Sequence, residues 1–328
     1  MTGLFHPSTM VALRRRLYLI IAAAGLLGLL ALVFTESEAT LSANPPQAGA
    51  VKPLTEGAAM DGFGVWAPDG KRIAFMRDGQ IWLMGATGKN ARALTSNAAV
   101  WDAVPAWRPD GKAIGFARMT MHGDGAVIMT VEPDGGKERE LAKVSEPVGH
   151  IAWAPSGKTI YFSTLRKLMQ LDVATGKIQQ LLEAKSDWEL QAGGIAVSPD
   201  GTRVIYGAGP RMGRQVLYDL WVLKVGDTEP QRVTTGGGIM PVLDRKGKLL
   251  AYRNPRTRTG IYLMDVATHA TRQVVPDERG AMYFHPAFAP DGKTLLLSRL
   301  LVDSGNREEG KRFTSHLYLH TLTPSGRD

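Results

Sequence analysis

One ten-residue phrase, Trp66-Ala67-Pro68-Asp69-Gly70-Lys71-Arg72-Ile73-Ala74-Phe75, constrains this chain more than any other feature, because variants of it recur to the end of the sequence. The copies begin at Trp107, Trp153, Val197, Leu243 and Phe288, making six in all. Their turn glycines stand at 70, 111, 157, 201, 247 and 292, in steps of 41, 46, 44, 46 and 45 residues. A period in this range suits a four-stranded propeller blade. Asp-Gly between apolar runs marks a tight hairpin, since glycine supplies the positive φ the turn needs. The flanking Val65-Trp66 and Ile73-Ala74-Phe75 are β-branched and aromatic, as strands prefer. The spacing therefore predicts an all-β, six-bladed propeller of four-stranded antiparallel blades.

Each repeat divides into four strands, with Gly64–Ala67, Lys71–Met76, Gln80–Met84 and Ala91–Thr95 as the first set. The sixth repeat stops after its third strand, Ser315–Thr321. Val51–Thr55, ahead of the first full repeat, has the fourth-strand pattern of Ala91–Ser96 and Gln231–Gly236, so it is expected to complete the sixth blade. Such closure removes the open edges of a stack of sheets. The expected organisation is a segment 1–39, a linker 40–50 with Pro45-Pro46, the propeller over 51–323 and a tail 324–328.

The first segment has Arg14-Arg15-Arg16 before an uncharged run from Leu17 to Phe34, which predicts one apolar helix. Its length meets the threshold for a membrane anchor, while Ser37-Glu38-Ala39 offers a signal-peptidase site. Arg15-Arg16-Leu17-Tyr18-Leu19 also resembles a twin-arginine signal. Arginines on the N-terminal side keep that end in the cytoplasm, so the propeller is expected in the periplasm or at the cell surface, anchored or released near Ala39. Net charge is +8, of which +7 lies beyond Ala39. That balance favours anionic partners. No nucleic-acid motif is present, and an exported chain is not expected to meet nucleic acid. Cysteine is absent, which excludes disulfides, thiolate metal sites and a thiol nucleophile.

The repeated Trp-x-Pro-Asp-Gly-Lys-x-Ile-x-Phe, with Asp102-Ala103-Val104-Pro105-Ala106-Trp107-Arg108-Pro109-Asp110-Gly111 as its closest version, resembles the WD-type Pro-Asp repeat of the TolB-like six-bladed propellers. The resemblance covers about residues 51–323 and implies the fold. TolB proteins carry an α/β domain ahead of the propeller, for which the stretch between the apolar run and the first blade leaves no room. Their partner and translocation role are therefore not carried over. Propellers of this type also precede the hydrolase domain of prolyl-oligopeptidase-like enzymes, but no Gly-x-Ser-x-Gly elbow occurs here.

In such a blade the Asp-Gly turns occupy one face, and the loops between second and third strands occupy the other. Those loops are expected to be long in the fourth (207–215), fifth (253–260) and sixth (298–314) repeats, and long loops often carry function. They contain Arg211, Arg214, Arg253, Arg256, Arg258 and Arg307, a candidate binding set for carboxylate or phosphate. The bland alternative is a solvated rim, with Asp303, Glu308 and Glu309 neutralising part of it. His150 and His285 each precede the aromatic position of their repeat by three residues and are expected at the channel mouth; the other four repeats have Phe63, Val104, Gly194 and Met240 there. Equivalent histidines hold metal in some lyases on related propellers. Two imidazoles facing across a channel are expected to stand too far apart to share an ion, so neither metal nor cofactor is expected. Asp102 is a possible acidic neighbour, or bonds backbone groups of its connection. Trp66, Trp107 and Trp153 are expected to pack between blades. The reading that follows is a monomeric, non-catalytic exported propeller that binds a protein or anionic envelope polymer. The alternative is a lyase or hydrolase acting on an acidic glycan at the channel mouth.

Overall fold

The computed structural model describes residues 51–323 apart from 98, 121–124, 258–259, 279 and 304–311. The expected apolar helix, the linker and the tail lie outside these residues, as do Arg258 and Arg307. Six antiparallel sheets follow one another along the chain, and no helix occurs among the described residues. Their innermost strands are Asp61–Trp66, Val100–Trp107, His150–Trp153, Trp188–Val197, Ile239–Leu243 and Ala281–Phe288. Each touches the inner strand of the next blade, and the sixth touches the first, so the strands ring a central axis.

The ring closes as the sequence predicts. Lys52–Pro53 is the outer strand of blade 6, with Lys52 opposite Leu319 and Pro53 opposite Tyr318. The Thr55 hydroxyl accepts from the Leu317 amide at 2.9 Å. Thr95 and Thr234 make the same bond to Ile81 and Leu220 in blades 1 and 4. The N-terminal strand thus has the same outer-strand chemistry as its counterparts.

All six turn glycines of the Pro-Asp-Gly phrases have φ between 66° and 72°, a range open to glycine at little cost. The aspartate of the turn accepts from the backbone amide two residues on, as in Asp69 to Lys71 at 2.9 Å and Asp291 to Lys293 at 2.8 Å. Five of the glycines also rest against a proline of the preceding blade: Gly70 on Pro290, Gly111 on Pro68, Gly157 on Pro109, Gly201 on Pro155 and Gly247 on Pro199. The tryptophans join blades in the same direction. Trp107 Nε1 donates to the Val65 carbonyl at 3.2 Å, and Trp153 Nε1 to that of Ala106 at 3.1 Å. The repeated phrase is therefore structural, and the face it forms is even.

The opposite face differs from the expectation of long loops. In blade 4 the second strand runs through Arg203–Met212 and folds back on Gln215–Val216 about Gly213. In blade 6, Thr294–Asp303 stays paired with Arg312–Thr321 to their ends. Two of the three expected loops are thus largely extended hairpins. Glycines at 207 and 209, read as loop formers, instead allow close backbone approach. A Cβ on Gly207 would stand 3.0 Å from Gln191 Cβ, and one on Gly209 would strike the Leu217 carbonyl.

Candidate channel-mouth site

Each inner strand carries a position three residues before Trp66, Trp107, Trp153, Val197, Leu243 or Phe288. In five blades the pairing register shifts around that position, as between Gly62 and Val65 or Phe284 and Ala287. Such a bulge leaves a residue unpaired and re-aims its side chain. Phe63, Val104, Met240 and His285 occupy these bulges with φ of 53°, 50°, 56° and 47°. A left-handed conformation costs a non-glycine residue roughly 1–3 kcal/mol, so the surrounding ring must impose it. In blade 4 the position is Gly194, where a Cβ would run into the Met240 backbone. His150 sits without a shift, opposite Ser163.

The two histidines influence one another electrostatically. His285 stacks on Phe63, ring centroids 3.8 Å apart, and is close enough to His150 and Arg253 for their positive charges to oppose its own. Both histidines are half-buried. Burial pushes His150 down to about 4, and burial, His150 and Arg253 push His285 down to about 3. Among the described residues no three His, Asp or Glu side chains gather as a metal set, so two imidazoles alone do not make a metal centre.

Arg253 is not on an exposed loop. It ends the second strand of blade 5, opposite Ile239, is 1% exposed, and lies 5.1 Å above the Phe284 ring. Burial lowers it to about 10, opposed by Asp277. Phe284 in turn faces Ser298 across its blade. Arg211 and Arg256 are on the rim, but each is paired: Arg211 with Glu189, its Nε at 2.9 Å, and Arg256 with Asp219 at 3.2 Å. Arg256 also donates to the Thr235 carbonyl, and Arg232 shares the same aspartate. Arg299 is likewise paired with Glu278. Arg214 is exposed. The candidate arginines therefore divide into a matched rim and one buried cation near the axis.

Asp102 is fully buried, and both its oxygens accept from Arg118, at 2.8 and 2.9 Å. It holds a guanidinium rather than backbone amides. Asp61 and Arg77 repeat the arrangement in blade 1 at 2.6 and 2.8 Å. This pairing was visible in the sequence, since Asp61 and Asp102 stand five residues before their tryptophans, and Arg77 and Arg118 eleven after. Sequence reasoning also missed Ser163, Gln191 and Ser298, polar residues at 1%, 1% and 3% exposure around the inner strands. A lone polar residue at a strand end carries no signal that separates it from a loop.

Neither a protein-family profile nor a curated protein matches the sequence. Solved structures do match the fold. TolB from Agrobacterium tumefaciens superposes with a TM-score of 0.60 at 15% identity, over 84% of this chain and 100% of that one. TolB from Acinetobacter baumannii gives 0.55 at 17% identity, over 79% of this chain and 62% of that one, so less than two thirds of that protein is spanned. An oligogalacturonate lyase in complex with manganese gives 0.58 at 14% identity, over 83% and 80%. The class is a closed six-bladed β-propeller. In fold it is a TolB-like propeller.

The depressed histidines have a consequence for stability. Above pH 6.5 both are neutral in either state and contribute no pH dependence. As pH falls from about 6.5 through about 4 and about 3, the unfolded chain binds protons that the folded channel refuses, so stability is lost. The loss is on the order of 2 kcal/mol per histidine, less than full burial would give because both residues are only half-buried. Denaturant melts at pH 7.5 and 4.5 check this: His150→Gln and His285→Gln are each expected to flatten the pH slope, and an unchanged slope contradicts it.

Proposed function

We propose that the chain is an exported, non-catalytic TolB-like propeller that docks a partner on the face opposite the Pro-Asp-Gly turns. The observation that carries this reading is the unevenness of that face. The blade 4 hairpin raises Met212, 61% exposed, and Leu217, 38% exposed, beside the exposed Arg214. Apolar side chains held out on a paired hairpin favour a protein partner over a polymer, because they gain from burial against another apolar surface. The rim pairs Arg211–Glu189 and Arg256–Asp219 weaken the case for a purely cationic patch. Export is supported by Arg14-Arg15-Arg16 ahead of the apolar run Leu17–Phe34 and by the likeness in fold to TolB proteins.

Crosslinking in intact cells, with identification of captured proteins, tests the reading. The double substitution Met212→Ser, Leu217→Ser is expected to lower capture of the partner about tenfold. Arg214→Gln is expected to reduce the salt dependence of capture. Undiminished capture by all three substitutions together overturns the docking face. An enzyme acting on an acidic glycan is the competing reading, motivated by the histidine pair. Release of new chain ends from an acidic glycan by the purified protein, lost in His150→Gln, would replace the binding reading with that one.

A further inference from the structure

We infer that the corner between blade 3 and the raised hairpin of blade 4 takes an acidic, amphipathic segment of another protein. Trp188, Met212 and Leu217 form one wall, Leu165 the other, and Lys185 and Arg214 supply the cations. The inference rests on the docking reading above and states what kind of chain docks there.

Side chains alternate between the two faces of a strand, and residues opposite one another in register share a face. In blade 4, Trp188 is opposite Pro210 and Leu190 opposite Ala208, and the register runs unbroken from Ala208 opposite Asp219 to Met212 opposite Gln215. Trp188, Leu190, Ala208, Met212 and Leu217 therefore share one face. It is the face turned to blade 3, because Leu190 and Ala208 belong to the same apolar cluster as Tyr161 and Leu168 of that blade. Blade 3 ends short of the hairpin. Its second strand stops at Ser163, and in the turn that follows the Leu165 carbonyl accepts from the Leu190 amide at 2.8 Å. Met212 stands four residues beyond Ala208, the partner of Leu190, which raises it roughly 13 Å above that level. The wall above Leu190 thus has no neighbouring blade to pack on. Among the described residues the exposed large hydrophobic side chains are Met212, Leu217 and Leu165, at 61%, 38% and 44%, and all three are at this corner.

The charges at the corner select the partner. Lys185 lies 5.7 Å from the Trp188 ring centroid, Arg214 is in the hairpin turn, and Arg166 donates to the carbonyls of Ala184, Lys185 and Ser186. Among the described residues none of the three is bonded to a carboxylate. The acids of this rim are turned elsewhere. Glu189 alternates with Trp188 and Leu190, so it pairs with Arg211 on the opposite face of blade 4. Lys167 and Glu183 are opposite one another, one position from Leu168 and Leu182, and so point away from blade 4. Asp187 is the one exposed acid left beside the corner, against three cations. Apolar side chains flanked by unmatched cations suit a chain that alternates apolar residues with carboxylates. An anionic bilayer offers the same charge, but side chains at its interface enter only about 5–10 Å. That is less than the drop from Met212 to the level of Leu165, whereas a polypeptide ridge reaches both walls.

The test is photo-crosslinking of the full-length chain in intact cells, with benzoylphenylalanine in place of Leu165, of Met212 or, on the turn face, of the exposed Thr87, and with the captured segment mapped by mass spectrometry. The Leu165 and Met212 positions are expected to capture one segment of one protein, in which Asp and Glu alternate with apolar residues, and the Thr87 position is expected not to capture it. Made as a synthetic peptide, that segment is expected to bind the purified full-length chain and to lose at least about tenfold in affinity when its carboxylates are replaced by amides. Lys185→Glu with Arg214→Glu is expected to cost a similar factor, and Leu165→Ser about threefold. These three side chains are exposed, so the substitutions leave the fold intact, which thermal melts check. Capture of lipid, of a basic or uncharged segment, of different proteins from the two positions or of nothing overturns the inference, as does unchanged affinity in the charge variants. Capture lost in Met212→Ser, Leu217→Ser but whole in Leu165→Ser and in the charge variants would leave the docking face standing without the acidic corner, and capture undiminished in every variant would overturn both.

Discussion

Removal of Val51–Thr55 is expected to lower the melting temperature by roughly 10 °C or more, whereas removal of residues 40–49 is expected to leave it nearly unchanged. The five residues complete blade 6. They provide the pairing of Lys52 and Pro53 with Leu319 and Tyr318, the bond from the Leu54 amide to the Leu317 carbonyl at 2.8 Å, and the bond from the Leu317 amide to the buried Thr55 hydroxyl at 2.9 Å. Val51 packs against the cluster that includes Tyr283 and Leu295, and Leu54 against the one that includes Phe75 and Leu317. Each lost hydrogen bond is worth about 1 kcal/mol and each partly buried aliphatic side chain about 1–2 kcal/mol, for a total on the order of 5 kcal/mol. Deletion also leaves Leu317–Leu319 without their partner strand, an open edge that invites pairing with another molecule. The measurement is a pair of thermal melts with light scattering recorded alongside. Equal melting temperatures for the two deletions would show that the ring does not depend on its closing strand.

That closure was legible in the sequence because it rests on repeated chemistry. An outer-strand threonine recurs at 55, 95 and 234, and each accepts a backbone amide of the neighbouring third strand. The blade count was legible for a similar reason, since six turn glycines adopt one left-handed conformation. The inner-strand positions where the register shifts could be found by counting back three from Trp66, Trp107, Val197, Leu243 and Phe288. What could not be read was where polar residues end up when nothing repeats. Arg253 looked like the first residue of a loop, yet it closes a strand and is driven between blades 5 and 6, where the Phe284 face accepts its charge. Gly207 and Gly209 looked like loop formers, but a glycine that permits close packing and one that permits a turn are the same letter. The rim arginines looked available because their acids, Glu189 and Asp219, come from other strands and reach them only in the folded ring.

The two buried aspartate–arginine pairs give the sharpest test of the ring's interior, because they are alike in geometry and unlike in what remains after one partner is removed. Asp61→Ala leaves Arg77 four-fifths buried over the Phe75 and Trp82 rings, with Asp78 near it but no carboxylate shown bonded to it among the described residues. An uncompensated buried charge of this kind costs about 3–5 kcal/mol. Asp102→Ala removes the equivalent acid in blade 2, but Glu138 still holds Arg118 Nη1 at 2.7 Å. Its cost is therefore expected to be smaller, about 2 kcal/mol, the scale of a lost charge-assisted hydrogen-bond pair. The order Asp61→Ala worse than Asp102→Ala follows from Glu138 alone, since both aspartates are buried alike and both guanidiniums sit over an aromatic ring. Adding Arg77→Met to Asp61→Ala removes the stranded charge and is expected to recover most of the loss, because the long apolar side chain can lie along the same rings. Adding Glu138→Ala to Asp102→Ala is expected to bring blade 2 down to the level of Asp61→Ala. Denaturant melts of the four variants decide it: equal costs for the two single substitutions, or no recovery with Arg77→Met, would mean that these carboxylates act through packing and not through charge.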